Sequence, residues 1–255
     1  MGVLDLFSKD GREQRAREKN IKSATNKFAQ SPDRMKALQS LRDDGSPDAL
    51  YGLLRRFGMM YDKSIEDEQE KEWVFDTLVV KGGVVLGPLK KYFQTADSIS
   101  WALRLLEKVV ATKEEQIDVI AEVLARHEPG YERDPSKKIQ LINHLGGLKQ
   151  DRVAPLCVPY LEDMDEGVRY AAAETLLRQG NETSARLPLL DHFVSSSEDS
   201  LRIRILVAEG FVERGWTVAE KRAEVEKLLP DAYQIDAPAK AGGVVRLKKK
   251  SGAKE

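Results

Sequence analysis

The residues able to carry reaction chemistry are few and far apart. The histidines are His127, His144 and His192, and the one cysteine is Cys157. A protein-bound zinc or iron needs several His, Cys or carboxylate ligands converging on one point. Only His127 is followed by an acid, Glu128; Leu145 follows His144 and Phe193 follows His192. No G-x-x-x-x-G-K-[ST] phosphate loop, G-x-S-x-G elbow or H-E-x-x-H pair occurs, and Lys81-Gly82-Gly83 reads as a helix-ending turn. These patterns imply no catalytic set, no metal and no cofactor. Cys157 has no partner for an internal disulfide and sits on a predicted buried helix face, which suits a reducing compartment.

Recognition chemistry is better represented. Arg, Lys and Tyr recur on a series of short helices, and the helices can be superposed in sequence. One column then reads Arg56, Tyr92, Val123, Tyr160, His192, and the adjacent one reads Arg55, Lys91, Glu122, Pro159, Asp191. Tyr and Arg are favoured binding anchors because each buries area and keeps a polar handle. Arg55, Arg56, Lys91, Tyr92, Tyr160 and His192 are therefore the candidate partner-binding residues, forming a ladder that is basic toward the N-terminus and acidic toward the C-terminus.

The elements that must position this ladder are helical pairs. In residues 151–180, Val153, Leu156, Cys157, Tyr160 and Leu161 lie at three-and-four spacing, an acidic turn follows, and Val168, Ala171, Ala172, Thr175 and Leu176 mark a second helix. Asp163 or Asp165 is placed to cap it. Matching Leu53, Leu89, Ile120, Cys157 and Leu189 gives steps of 36, 31, 37 and 32 residues, and Phe57, Phe93, Leu124, Leu161 and Phe193 give the same steps. A period in the thirties means a stack of helical hairpins that share one continuous core. The first helices are expected at 33–41, 71–80, 98–110, 136–145, 167–178 and 200–214, with 61–70 and 127–135 as longer loops.

Composition agrees with helices that carry solvated faces: charged residues make up 33% of the chain, yet the net charge is only -1. The balance is uneven. Nine Lys and Arg against five Asp and Glu make residues 1–36 basic, and six against one make 237–255 basic, so the body between them is acidic. An acidic body disfavours specific DNA binding, whose affinity rests on Lys and Arg at the phosphates. No apolar run reaches the roughly 20 residues of a membrane span, and no secretory leader is visible. The organisation expected is a basic N-terminal helix with an apolar tip over 1–30, a repeat body over 31–233, and a disordered basic tail over 234–255. The tip, with Val3, Leu4, Leu6 and Phe7, and the tail, with Arg246 to Lys250, could make weak contact with an anionic membrane or an acidic partner.

The hairpins resemble HEAT repeats, and more narrowly the bacterial phycobilisome-lyase-like type. The resemblance is carried by Asp151-Arg152-Val153-Ala154, Leu161-Glu162-Asp163, Gly167-Val168-Arg169, Ala171-Ala172-Ala173 and Leu176-Leu177, with further matches at Gly45 to Leu50 and Ser200 to Arg204. It implies an all-α, right-handed α-solenoid of about five to six hairpins, with second helices lining the concave side. The function expected is a non-catalytic, cytoplasmic scaffold or adaptor binding another protein there. The alternatives are a lyase-like HEAT enzyme or enzyme subunit acting on a protein-bound group, or a peripheral membrane-associated adaptor.

Overall fold

The computed structural model describes residues 9–237 and 244–251. The apolar tip around Leu4, Leu6 and Phe7, residues 238–243 and residues 252–255 lie outside the described residues. The chain divides into two compact units, Met1–Val119 and Ile120–Glu255.

In the first unit, α1 (Lys9–Ala24) packs on the pair α2 (Ser31–Asp44) and α3 (Pro47–Leu54). Ala24 is buried, and Arg17 pairs with Asp44 at 2.8 Å. Phe28, which shares the spacing of Ile21 and Ala24, lies beyond the helix end and is 82% exposed. The α2–α3 turn forms as its residues demand. Gly45 takes a left-handed φ of 63° past the end of α2, Ser46 accepts the Ala49 N–H, and Pro47 opens α3. The next pair is α4 (Ser64–Lys81) and α5 (Leu86–Thr95), and α6 (Ser100–Val109) packs on both.

The unit boundary falls inside α7 (Lys113–Leu124). The second unit stacks α8 (Ser136–Gly146), α9 (Val153–Cys157), α10 (Glu166–Gln179), α11 (Leu187–Val194), α12 (Leu201–Arg214) and α13 (Arg222–Leu228). Helix α10 is its centre, packing on α8, α9 and α12. Asp165 accepts the Val168 N–H and caps α10, and Gly180 closes it with φ 69°.

Both apolar columns are core. Leu53, Leu89, Ile120, Cys157 and Leu189 are at most 1% exposed, and Phe57, Phe93, Leu124, Leu161 and Phe193 at most 4%. The fold is an all-α stack of solenoid type within each unit, apart from one small sheet.

That sheet corrects the expectation of a disordered tail from residue 234 onward. Strand β1 (Tyr233–Asp236) pairs antiparallel with β2 (Arg246–Lys249), Ile235 opposite Leu247. On its other side the tail is held by the Val218 N–H, donated to the Val245 carbonyl at 2.9 Å, and by a bridge from Thr217 to Arg246. Leu247 is buried, which is the gain that orders an otherwise polar segment. Between this bridge and β1 the chain forms a 3-10 turn, Ala219–Lys221, and α13. A second correction concerns residues 61–70: their latter part, from Ser64, forms the first turns of α4 rather than a loop.

The approach of α1 to α3 depends on Gly52, where a Cβ would stand 2.6 Å from Ile21 Cγ1. Replacing Gly52 with Val is expected to lower stability by about 1–3 kcal/mol, the usual cost of overpacking. Gly87 in α5 has open space around it. Thermal melts of Gly52→Val and Gly87→Ala should separate the two, with only the first losing Tm.

Candidate functional site

The predicted ladder divides along its length, one column outside and one inside. Arg55, Lys91, Glu122, Pro159 and Asp191 are all exposed. Arg56, Tyr92, Val123, Tyr160 and His192 are all buried, none more than 5% exposed. Arg56, Tyr92, Tyr160 and His192 are therefore corrected from partner-binding residues to structural ones. The polar tips of Arg56, Tyr92 and Tyr160 are spent on the joints of the stack, and His192 lies against Glu198.

Arg56 shows this most fully. It lies in the 3-10 turn after α3, donates from Nε to Glu70 Oε2 at 2.9 Å and from Nη2 to Asp67 Oδ1 at 2.7 Å, and reaches the Met59 carbonyl at 3.2 Å. Arg34 donates to the other Glu70 oxygen at 2.8 Å, and Lys71 pairs with Asp67 at 2.5 Å. Asp67 and Glu70 thus lie on the buried face of α4, where carboxylates hid the apolar period that marks a helix. The Tyr92 hydroxyl donates to the Ser98 carbonyl at 3.2 Å, and the Tyr160 hydroxyl to the Leu124 and His127 carbonyls, both at 3.0 Å. Burial pushes both phenols up to about 12. His192 Nε2 lies 2.7 Å from Glu198 Oε2. Burial holds the imidazole below its usual range and outweighs the attraction of Glu198 and Glu162.

The outer column retains recognition chemistry. In the first unit Lys91 Nζ sits 4.5 Å from the centre of the Tyr51 ring and 3.6 Å from Asp48 Oδ1, and the Tyr51 hydroxyl lies 3.0 Å from Thr95 Oγ1. Arg55 is exposed one turn on from Tyr51. These groups form a surface with an aromatic centre and two cations, with Asp48 at its edge. Tyr51 was not among the predicted residues because its column changes type in the next copy, where Gly87 takes its place.

The reactive residues make no cluster. Cys157 is fully buried, and burial raises its thiol to about 12, far from a reactive thiolate. His127 Nδ1 contacts Glu132 at 2.8 Å. Among the described residues no three His, Cys, Asp or Glu side chains are grouped to hold a metal ion, and no helix is long and apolar enough to cross a membrane. The tail cations are partly engaged: Lys248 pairs with Asp236 at 2.6 Å and Lys249 with Glu209 at 2.7 Å.

A family model described as HEAT repeats matches residues 117–208, which run through the second unit from α7 into α12. The match, with the stacked pairs it covers, supports a HEAT-repeat reading of this stretch. No curated protein matches the chain.

Removing the Arg56 charge would leave Asp67 and Glu70 buried without their shared partner. Arg56→Met is expected to cost about 3–5 kcal/mol, as for other broken buried pairs. Arg55→Ala should stay within about 0.5 kcal/mol, as at ordinary surface sites. Urea denaturation of the two variants measures the contrast.

Acid sensitivity follows from the same joints. Burial pushes the Glu70 carboxyl up, but hydrogen bonds and charge from Arg34 and Arg56 prevail and hold it below the usual glutamate range. Burial likewise opposes ionisation of Glu198, and Arg169, the Ser200 N–H and the neighbouring charges prevail. A depressed carboxylate stabilises the fold above its unfolded pKa, and that contribution is lost as pH falls through the folded value. Tm is therefore expected to fall as pH drops below about 4.3, the unfolded glutamate value. Glu198→Gln should be less stable at neutral pH and show a shallower acid slope, measured by circular dichroism melts at a series of pH values.

Proposed function

We propose that this protein is a non-catalytic scaffold, acting in the cytoplasm, that binds another protein along its exposed second-helix surface, the concave side in HEAT stacks. The observation that carries the reading is the surface on α3 and α5, where Lys91 lies over Tyr51 and Arg55 stands one turn away. The ring gives area with little conformational entropy to lose, and the cations steer and orient an acidic partner. The HEAT match supports the class, since such repeats commonly serve as protein-interaction scaffolds.

The finer assignment to the bacterial phycobilisome-lyase-like type is also a proposal. Its support is the run Gly167-Val168-Arg169 with Ala171-Ala172-Ala173, whose arginine is buried at a repeat joint and whose alanines are core. An enzymatic role on a protein-bound group has less support, because the one thiol is buried and held protonated.

The test is a crosslinking pull-down from the native cell with intact protein and an Arg55→Glu/Lys91→Glu variant side by side. A protein recovered with the intact form and at least about tenfold depleted with the variant is the expected result, in line with losses from charge reversal in binding surfaces. Equal recovery would move the site elsewhere on the chain, and recovery of no protein by either form would count against the scaffold reading itself.

A further inference from the structure

The C-terminal end of the second unit holds an apolar groove of about 1080 Å³ between α12, the end of α13 and the β1–β2 hairpin. Its α12 wall presents Leu201, 60% exposed, and Ile205, 40% exposed. Leu228, Leu229, Pro230, Ala232 and the buried Tyr233 complete its apolar lining. In α10, the preceding first helix, matching Val168 with Ile203 and Leu176 with Phe211 places Glu166 and Tyr170 at the positions of Leu201 and Ile205. Tyr170 lies under the Arg202 guanidinium of the next pair at 3.8 Å. Helix α12 thus exposes apolar side chains where α10 carries an acid and a covered tyrosine. Scattered exposed apolar residues are ordinary, but two on one helix face, inside a groove, mark a contact surface.

The charge around the groove indicates what it accepts. Lys249 and Glu209 neutralise one another at 2.7 Å. Lys227 and Lys250 are exposed at the rim, and Arg204 spends its guanidinium on the Phe193 and Glu198 carbonyls. Among the described residues lining the groove, Asp231 is the one carboxylate set against these three cations. The rim is positive on a repeat body that is acidic overall. A ligand that pairs apolar side chains with carboxylates complements it, and one bearing cations does not.

We propose that this groove binds a short amphipathic segment of a partner protein, with apolar side chains seated on Leu201 and Ile205 and acidic side chains facing Lys227 and Lys250. The proposal rests on the scaffold reading but uses a different surface, in a different unit, from Arg55 and Lys91. Helix-in-groove recognition of this kind reads apolar anchors at i, i+3, i+4 and i+7. The positive rim is matched by acids on the flanks of such a helix.

The probe is a fluorescein-labelled twelve-residue peptide with Leu at i, i+3, i+4 and i+7 and Glu and Ala elsewhere, titrated with the full chain by fluorescence anisotropy. A second peptide has Lys in place of every Glu. Saturable binding of the Glu peptide, absent for the Lys peptide, is expected. Leu201→Glu/Ile205→Glu and Lys227→Glu/Lys250→Glu should each weaken it at least tenfold. All four positions are exposed, and an unchanged Tm in both variants checks that the fold is kept. No saturable binding of the Glu peptide, equal binding of both peptides, or affinity unmoved by either double variant would overturn the proposal. Displacement of the peptide by vesicles of phosphatidylglycerol, but not of phosphatidylcholine, would reassign the groove to an anionic lipid surface and also overturn it. The Arg55→Glu/Lys91→Glu chain should bind the peptide normally. If that chain loses its cellular partner while the groove variants change nothing, the scaffold reading stands and the groove does not.

Discussion

A cation buried near the start of a first helix, paired with a carboxylate about thirty residues further on, holds one hairpin to the next. Arg34 meets Glu70, Lys138 meets Asp163 at 2.7 Å, and Arg169 meets Glu198 at 2.9 Å. Each cation also donates to carbonyls of the turn before its own helix: Arg34 to Ala29, Lys138 to Glu128 and Gly130, Arg169 to Asp163 and Met164. Those carbonyls sit where a helix has not yet begun to satisfy them, and burial without a donor would cost about 1–3 kcal/mol each. The pair is thus less a source of net stability than a condition on the geometry, since a buried ion pair barely repays its desolvation but a broken one is expensive.

The same carboxylates shape the turns they occupy. Asp163 accepts the Asp165 N–H with one oxygen and Lys138 with the other, and Glu198 accepts the Ser200 N–H beside Arg169. Asp165 and Ser200 are then free to cap α10 and α12. One short acidic turn therefore ends a hairpin, starts the next and binds the hairpin before it. In the first unit the equivalent carboxylate, Glu70, lies on a helix, and Arg56 completes its contacts from the turn after α3.

These joints decide how much could be read beforehand. The apolar columns were legible because a repeated core position leaves the same residue type at a fixed spacing, from Leu53 to Leu189 and from Phe57 to Phe193. The cap at α10 and the turn around Gly45 were legible for a similar reason, being set by local backbone chemistry. The start of α4 was not, because Asp67 and Glu70 are buried charges and a hydrophobic period cannot register them. The tail hid its strand because Leu247 is the one buried residue among the described residues from 234 onward, and its partners, Tyr233 to Asp236 and Val218, are remote in sequence.

Four of the six ladder residues are buried for a reason that lies in helix geometry. Two adjacent columns differ by about 100° in direction on an α-helix and about 120° in a 3-10 turn, so a one-residue shift separates a surface from a joint. Arg56, Tyr92, Tyr160 and His192 share a place but not a chemistry, because what the joint requires is a long side chain with a polar tip, and the stack uses each type to reach a different carbonyl or carboxylate. Their variety looked like a binding surface in sequence and is a set of separate solutions to one packing problem. Arg55, Lys91, Glu122, Pro159 and Asp191 also vary, and all five are exposed. In the first unit this column holds the cations Arg55 and Lys91, and in the second it holds Glu122, Pro159 and Asp191. Substitutions at these exposed positions change surface charge at little cost to the stack, usually within about 0.5 kcal/mol.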